Sequence, residues 1–265
     1  MNFIKHLLTT KIKETYEKKI IKTVSYLKKS KRIFFITGAG ISADSGLQTF
    51  RGIGGFYINK KMDGVKIEKV FSEEIVKENP ELLWKIIFQM EKSGRHATYN
   101  RAHEIIVLME KYFEVLVVTM NVDNFHESAG SSNVIKLHGD LYTLKCLSCK
   151  HEKIVKDYSC LENPPLCKCG GIFRPDVVLF GETLSEKQIQ NVVDWLEQGF
   201  DMIFVIGSTG LFPYVMEPVK LAKNLAVPTI EINPGKTKLS GIVDIKLKEG
   251  AAKAMEDVWK RYQEN

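Results

Sequence analysis

Short apolar runs rich in β-branched residues alternate with longer segments of helical periodicity along most of the chain. The apolar runs lie at 33–37, 114–119, 202–207 and 227–232, with a shorter one at 134–137. The helical patterns lie at 12–29, 73–92, 100–111, 185–199, 214–225 and 250–263. Strands that alternate with helices in this way predict an α/β fold, with a doubly wound parallel sheet and helices on both of its faces.

Two stretches interrupt this alternation. Residues 57–98 are predicted to form a helical insertion, whereas residues 143–176 contain all five cysteines of the chain. The sequence shows no internal repeat and no low-complexity linker. We therefore interpret both stretches as insertions into one α/β core, which a chain of 265 residues can accommodate.

Polar or glycine-rich loops follow three of the predicted strands. Gly38-Ala39-Gly40 follows the first strand, Asn121-Val122-Asp123 follows the second, and Gly207-Ser208-Thr209 follows the strand at 202–206. Ligands of parallel sheets bind at the carboxyl ends of the strands. The three loops therefore predict a single binding edge.

The stretch 33–52 carries the most specific of these loops. Closely spaced glycines after a strand let backbone N–H groups approach a diphosphate. The common dinucleotide fingerprint needs a third glycine where this chain has Ala43, and the next glycine, Gly46, lies in a polar loop that continues to Phe50 and Arg51. This departure favours a loop that folds over its ligand instead of a plain hydride-transfer site.

The cysteines have the spacing of a metal site. Cys146 and Cys149 are separated by two residues, and Cys167 and Cys169 follow as a second close pair. Four thiolates suit a closed structural zinc site with no open position for a substrate. A disulfide interpretation is the alternative, although cytosolic thiols stay reduced. Cys160 is interpreted as a free thiol that could replace one of the four.

A histidine is the candidate base. His138 follows the short apolar run at 134–137 and precedes Gly139, which leaves room for a ligand to approach. An imidazole with an ordinary pKa near 6.5 suits proton transfer, and the neighbouring Asn121 and Asp123 can hydrogen-bond ribose hydroxyls or an amide. His103 and His126 lie on helical patterns, where packing or capping is the expected role.

The segment 174–182 reads as extended chain that ends in Phe180-Gly181-Glu182. It is interpreted either as a connecting strand that leaves the cysteine-rich stretch or as an edge that pairs with an extended peptide. In the second interpretation, Phe180 lines an apolar channel.

Composition narrows the class of protein. A hydrophobic fraction of 44% and a charged fraction of 26% are ordinary for globular proteins, and no apolar run approaches the ~20 residues that span a bilayer. The N-terminus favours an amphipathic helix over a targeting segment, so a cytoplasmic location is expected. The net charge of +6 is concentrated in lysines of the first 32 residues and predicts a solvated helix face. We expect neither a membrane nor a specific nucleic-acid partner, and the oligomeric state is left open.

Together these motifs closely resemble those of the sirtuins, the NAD-dependent protein-lysine deacylases, over about residues 20–255. The matching motifs are GAGISADSGLQTFRG (38–52), Gly55-Phe56-Tyr57, Asn100 with His103, TMNVD (119–123), His126-Glu127 with Ala129-Gly130, His138-Gly139, the four cysteines, RPDVVLFGE (174–182), Gly207-Ser208-Thr209 and IEINP (230–234).

The resemblance implies a Rossmann-like NAD-binding domain of residues 1–56, 99–142 and 177–265. A helical module of residues 57–98 and a zinc module of residues 143–176 would form the small domain. It implies that NAD and an acyl-lysine protein substrate enter the cleft between them from opposite sides.

The resemblance also assigns roles to residues. His138 and Asn121 are the predicted catalytic residues, with His138 as the general base on a ribose hydroxyl. The predicted cofactor-binding residues are Gly38, Ala39, Gly40, Ser42, Asp44, Phe50, Arg51, Met120, Asn121, Asp123, Gly207, Ser208, Thr209 and Asn233. The predicted substrate-binding residues are Val178, Phe180, Gly181, Glu182 and Phe212, and the zinc ligands are Cys146, Cys149, Cys167 and Cys169.

The implied reaction consumes NAD. In sirtuins the acyl oxygen attacks C1′ of the nicotinamide ribose as nicotinamide leaves, and the products are free lysine, nicotinamide and O-acyl-ADP-ribose. Two alternatives stay open: mono-ADP-ribosyl transfer from the same NAD site, and a non-catalytic NAD sensor.

The chain departs from the sirtuin pattern in three respects. Met120 stands where the family usually has Gln, and a thioether is only a weak acceptor, which could slow deacylation or favour ADP-ribosyl transfer. Ile87 and Met90 stand where desuccinylases carry a Tyr and Arg pair, so apolar acyl groups are expected. The spacing after Gly207-Ser208-Thr209 also differs, which assigns the peptide contact to Phe212.

Overall fold

The computed structural model describes residues 14–49, 61–62 and 65–264. Its strands are β1 (Arg32–Thr37), β2 (Lys61–Met62), β3 (Val65–Lys66), β4 (Glu114–Thr119), β5 (Val134–Lys136), β6 (Gly139–Cys146), β7 (Glu152–Ile154), β8 (Phe173–Val177), β9 (Met202–Ile206), β10 (Thr229–Ile232) and β11 (Ile245–Leu247). Its helices are α1 (Tyr16–Leu27), α2 (Ile67–Val70), α3 (Glu73–Glu78), α4 (Pro80–Gly94), α5 (Arg101–Met109), α6 (Phe125–Ala129), α7 (Glu186–Glu197), α8 (Pro213–Asn224) and α9 (Ala251–Gln263).

Six parallel strands form the central sheet in the order β11-β10-β9-β1-β4-β5. The first strand of the chain thus lies in the middle, where Phe35 pairs with Val117 on one side and with Phe204 on the other. This is the doubly wound order, and the chain reverses its direction of winding between β1 and β9. The predicted α/β class is confirmed, and the ligand crevice is expected at that reversal.

Alternate side chains of β1 enter two separate cores. Ile33 and Phe35 belong to the layer with α1, α5 and α9, whereas Phe34 and Ile36 belong to the layer with α7 and α8. Strands that are buried on both faces have near-continuous apolar sequences. This is why the runs at 33–37, 114–119 and 202–207 predicted their strands within one residue at each end.

The two insertions share a third core, which we call the small-domain core. Apolar residues of α2, α3 and α4 pack with Leu144, Tyr158 and Phe173 from the cysteine-rich stretch. The indole of Trp84 donates a hydrogen bond of 2.8 Å to the carbonyl of Phe173, which joins the two parts. Strand β6 pairs with β7 and β8 in an antiparallel sheet at the edge of this core. The boundaries of the predicted domains stay a prediction.

Several elements differ from the sequence prediction. The helix predicted at 73–92 is two helices, because Pro80 begins α4 and the Asn79 side chain caps it by accepting from the Leu82 N–H. The described part of the helical insertion begins with the antiparallel pair β2 and β3. Strand β11 was not predicted, and it spans only three residues. Helix α6 was predicted only as a helical pattern around His126, without bounds. None of the described helices is long and apolar enough to cross a bilayer.

Candidate functional site

The glycine loop after β1 lies against the loop after β9. The N–H groups of Gly38 and Gly40 donate hydrogen bonds of 3.0 Å to the carbonyls of Ile206 and Gly207. A Cβ atom at Gly40 would lie 2.5 Å from the Cα of Gly207, and one at Gly38 would lie 2.9 Å from its carbonyl oxygen. The two glycines therefore let the loops approach each other at the reversal of the sheet. In this structure their N–H groups are engaged within the protein.

Replacing Gly207 with alanine is expected to destabilise the fold by about 2–4 kcal/mol, from left-handed strain and steric overlap. Its φ is +65°, and an added Cβ would lie 2.5 Å from the Cα of Gly40. Urea unfolding measures the change in free energy. Gly241→Ala is the matched control, because a Cβ there meets nothing within 4 Å. Equal midpoints for the two variants would contradict the close approach of the loops.

The loops after β9 and β10 are joined by Asn233. Its side-chain amide donates to the carbonyl of Ser208 at 3.1 Å, and its oxygen accepts from the Gly235 N–H at 2.9 Å. The Thr209 carbonyl accepts from the Lys238 N–H at 3.1 Å. The predicted adenosine side of the site is therefore a connected set of loops at the same sheet edge.

Asn121, Ser42 and Asp123 form a polar cluster beside the glycine loop. The Asn121 amide donates to the Gly38 carbonyl at 3.3 Å and to the Ser42 hydroxyl at 3.2 Å. The Ser42 hydroxyl in turn donates to Asp123 Oδ2 at 2.7 Å. Asn121 is only 5% exposed, so its amide is positioned by protein contacts. Sequence analysis predicted that the first two loops meet, and the structure brings them together.

The pKa of the buried Asp123 carboxyl is subject to opposing influences. Desolvation raises the pKa of this carboxyl, while hydrogen bonds from the Ser42 hydroxyl and the Phe125 N–H act in the opposite direction. A carboxyl that is already held by two donors can accept further hydrogen bonds from ribose hydroxyls or an amide.

His138 directly precedes β6 and lies beside the first turn of α8. Its Nε2 atom is 2.8 Å from the Tyr214 hydroxyl. The rings of Phe212 and Tyr214 stack with 5.1 Å between their centroids, and each meets the imidazole nearly perpendicularly. Desolvation lowers the pKa of His138, and a hydrogen bond to the backbone of Met120 acts against that shift. The imidazole is therefore neutral at neutral pH, as a general base must be.

An ion-pair cluster ties the turn after His138 to the loop after β4. The Lys136 ammonium lies 2.8 Å from Asp140 Oδ2 and 2.9 Å from Glu127 Oε1, and it donates to Asn124 Oδ1 at 3.1 Å. The Asn124 amide donates to the same Asp140 oxygen at 2.9 Å. These contacts connect the residues on both sides of His138 to the residues that directly follow Asp123.

Other predicted cofactor residues have contacts of their own. Asp44 accepts from the Ala252 N–H at 2.8 Å and so caps the first turn of α9. The Met120 side chain packs against the core beneath α8, and its terminal carbon faces Gly38. Phe50 and Arg51 lie outside the described residues. The cofactor-binding set as a whole stays a prediction.

His103 and His126 are buried structural residues, as their helical patterns indicated. His103 accepts from the Asn100 N–H and completes a capping box at the start of α5, and His126 Nε2 lies 2.9 Å from the Thr37 hydroxyl. Desolvation lowers the pKa of His103 to about 4 and that of His126 to about 3. Both are neutral and support the end of β1.

The segment after β8 forms backbone hydrogen bonds with other parts of the same chain. Phe180 donates its N–H to the Phe71 carbonyl and accepts from the Glu73 N–H, while the Val178 N–H donates to the His138 carbonyl. This favours the connecting-strand interpretation for 178–180. The Phe180 side chain packs against the small-domain core.

A cavity of about 700 Å³ adjoins this segment. Predicted substrate residues Val178, Gly181 and Glu182 line it, together with Gly139, the residue after the candidate base. The Glu182 carboxylate is paired with Arg174, which also lines the cavity. The substrate-binding residues stay a prediction, but three of the five border one cavity.

The four predicted zinc ligands converge. Their sulfur atoms all lie within 4.8 Å of one another, with separations of 3.5 Å for Cys146–Cys169, 3.8 Å for Cys149–Cys167 and 3.5 Å for Cys149–Cys169. Tetrahedral zinc with Zn–S bonds of about 2.3 Å places its sulfur atoms about 3.8 Å apart. The donor set therefore fits one structural zinc ion, and the exposed Cys160 lies outside it.

Two residues that support this site were not among the predicted site residues. Tyr214 contacts the candidate base from α8, and Asn100 donates its amide to the Ile41 carbonyl and to the Ser45 hydroxyl of the glycine loop. Asn100 was predicted only as part of a motif. Nothing in the local sequence around Tyr214 distinguishes it from a surface tyrosine at the start of a helix.

Comparisons with known proteins agree with this geometry. The Sir2 family profile matches residues 38–212. NAD-dependent protein deacylase 2 of Pseudomonas aeruginosa is 40% identical over 88% of this chain and 93% of its own, and the deacylase of Aquifex aeolicus is 35% identical over 86% and 93%. A crystal structure of a Sir2 homolog–NAD complex superposes with a TM-score of 0.81 at 31% identity, over 92% of this chain and 94% of that one.

These matches span both the sheet edge that carries His138 and the stretch that carries the four cysteines. The resemblance of the sequence motifs is thereby confirmed, and the chain belongs to the Sir2 family, the sirtuins.

Proposed function

We propose that this protein is an NAD-dependent protein-lysine deacylase that releases nicotinamide and O-acyl-ADP-ribose. The observation that carries the proposal is the connection of the predicted loops at one edge of the sheet: Asn121 donates to the Gly38 carbonyl, and His138 hydrogen-bonds the backbone of the residue before Asn121. A cavity that Val178 and Gly181 line also borders Gly139, the residue after His138. The names of the relatives, which are protein deacylases, support protein substrates.

Residues at different positions of the site have different proposed roles. The loops at 38–42 and 207–209, together with Asn233, would hold the phosphates and adenosine of NAD, and Asn121 and Asp123 would hold the ribose and carboxamide. Bound NAD supplies an electrophilic ribose carbon and a nicotinamide leaving group. His138 takes the proton of a ribose hydroxyl at Nε2, and the cluster around Lys136 fixes the position of its strand.

Protein mono-ADP-ribosylation is the second candidate function. The Met120 thioether lies beside Gly38 and is only a weak hydrogen-bond acceptor for a ribose hydroxyl. A weaker contact to the ribose would slow the later steps of deacylation. A single incubation with NAD and an acyl-lysine peptide separates the functions. O-acyl-ADP-ribose supports deacylation, labelled ADP-ribose on protein supports transfer, and intact NAD supports a sensor.

Apolar acyl groups are the preferred substrates in this proposal. Ile87 is 1% exposed in the small-domain core, and Met90 packs against that core, so neither position offers a cation to an acidic acyl group. Acetyl and longer apolar acyl peptides are expected to exceed succinyl peptides in kcat/KM by about tenfold or more, because an unpaired carboxylate is costly to desolvate.

A panel of acyl-lysine peptides of one sequence measures this preference. The variant Met90→Arg introduces the missing cation and is expected to narrow the difference between succinyl and acetyl peptides. Equal kcat/KM values for succinyl and acetyl peptides with the unmodified protein would contradict the assignment of these two positions.

The proposal places the protein in the cytoplasm. Four converging thiols hold zinc only while they are reduced, and reduced thiols are the rule in that compartment. Fractionation of cells that produce the protein, with detection by antibody, tests the location.

A further inference from the structure

The nitrogen that the proposed reaction requires is already in contact with a tyrosine. His138 Nε2 lies 2.8 Å from the Tyr214 hydroxyl, within ordinary hydrogen-bond distance. The imidazole and phenol ring planes are 87° apart, with 5.7 Å between centroids. Tyr214 belongs to the first turn of α8, which Pro213 begins, and its ring stacks on Phe212. The hydroxyl is thus aimed at the imidazole by a helix terminus and an aromatic neighbour.

The hydrogen-bond partners assign the tautomer of this imidazole. The ring also hydrogen-bonds the backbone of Met120. Because the Met120 N–H donates to the Thr37 carbonyl at 3.0 Å, the backbone group that faces the ring is the Met120 carbonyl. A neutral imidazole donates from one nitrogen and accepts at the other. Since the Met120 carbonyl takes the ring N–H, Nε2 carries the lone pair, and the Tyr214 O–H donates to it.

While the Nε2 lone pair accepts a hydrogen bond from the Tyr214 hydroxyl, it cannot accept one from a substrate hydroxyl. We propose that Tyr214 is a positioning residue that holds Nε2 of His138 in the ligand-free enzyme and yields this atom to a ribose hydroxyl of the co-substrate. The inference rests on the proposed function for the identity of the incoming hydroxyl.

The charged groups near His138 do not replace this contact. Asp140 is held by Lys136 and Asn124, and Asp123 is held by Ser42 and the Phe125 N–H. From α8 and the residue before it, Tyr214 and Phe212 face the ring, and the loop after β4 contributes the Met120 backbone.

The test compares Tyr214→Phe with the unmodified protein in pH profiles of deacylation. Loss of the O–H donor makes the ligand-free imidazole easier to protonate. The acid limb of kcat/KM, which reports the free enzyme, is therefore expected to move to higher pH by about half a unit to one unit. The acid limb of kcat, which reports the complex, is expected to stay in place because the ribose hydroxyl has taken over Nε2.

NMR of ¹⁵N-histidine gives the same quantity without turnover. The His138 resonance of the ligand-free protein, identified by its absence in His138→Ala, is expected to titrate at higher pH in Tyr214→Phe. The exposed Tyr112 provides the matched control Tyr112→Phe, which is expected to leave both measurements unchanged.

Each result bears on one proposal or the other. Superimposable kcat/KM profiles and NMR titrations in Tyr214→Phe would overturn the inference, and so would equal shifts of the kcat and kcat/KM limbs. An unmodified protein that does not deacylate any peptide would overturn the proposed function, whereas the NMR titration would still decide whether Tyr214 holds Nε2.

Discussion

Replacing His138 with alanine is expected to lower kcat for lysine deacylation by about 10²–10⁴-fold, the usual contribution of a general base. The ordinary pKa of an imidazole lies near neutrality, and desolvation lowers the pKa of His138. The Asp123 carboxyl accepts hydrogen bonds from the Ser42 hydroxyl and the Phe125 N–H, and its proposed role is to hold the ribose or the carboxamide. Activity of the unmodified protein is accordingly expected to rise with pH through a limb below about 6.5.

The experiment needs a variant that is folded and still binds NAD. The loops at Gly38, Ser208 and Asn233 contact one another without help from His138, so NAD affinity is expected to change by less than about tenfold. His96→Ala is the matched control, because His96 is exposed. Full deacylation by His138→Ala, with His96→Ala also active, would remove His138 from the reaction.

Much of the sheet could be predicted because its strands are buried on both faces. The runs that form β1, β4 and β9 are apolar at nearly every position, so their pattern needs no knowledge of partners. Strand β11 has only three residues and includes Lys246, whose ammonium pairs with the buried Glu231. A charge that is satisfied by a neighbouring strand is indistinguishable from a solvated loop residue in the sequence alone.

The site was predictable at the level of loops but not of contacts. Parallel strands bring their carboxyl ends together, and this rule alone placed Asn121 and Asp123 beside the glycine loop. The partners that hold them lie far along the chain: Ser42 is 81 residues from Asp123, and Tyr214 is 76 residues from His138. Such pairings depend on packing of the helices, which single-residue patterns do not encode. Asp44 illustrates this, because its partner Ala252 lies 208 residues away.

The zinc site and the candidate base lie at opposite ends of one strand pair. Strand β6 begins with Gly139, directly after His138, and ends with Cys146. It pairs with β8 at both ends, where Gly139 is opposite Val177 and Cys146 is opposite Phe173, and the register shifts between Asp140 and Leu144. The next residue, Val178, donates its N–H to the His138 carbonyl. We therefore expect that loss of order at the cysteine end of this strand pair also displaces His138 at the other end.

Replacing Cys149 with serine is expected to abolish zinc binding, unfold the zinc module and reduce deacylation to the level of His138→Ala. Zinc bound by such sites contributes about 10–16 kcal/mol, comparable to the whole stability of a typical domain of about 5–15 kcal/mol. The cysteine end of the module has little apolar cover to replace the metal, since two of its four ligands are exposed and Ile154 of β7 is 82% exposed. Metal analysis, limited proteolysis and peptide deacylation measure the three effects.

Cys160→Ser separates loss of zinc from loss of any thiol. Cys160 lies in the same stretch and is exposed, but it is outside the four-sulfur cluster, so this variant is expected to keep about one zinc ion per chain and full activity. Chelation of the unmodified protein is expected to reproduce the Cys149→Ser result. If Cys149→Ser retains one zinc ion and normal turnover, the four-cysteine assignment is wrong. If it loses zinc but keeps turnover, then β6 does not transmit the state of the metal site to His138.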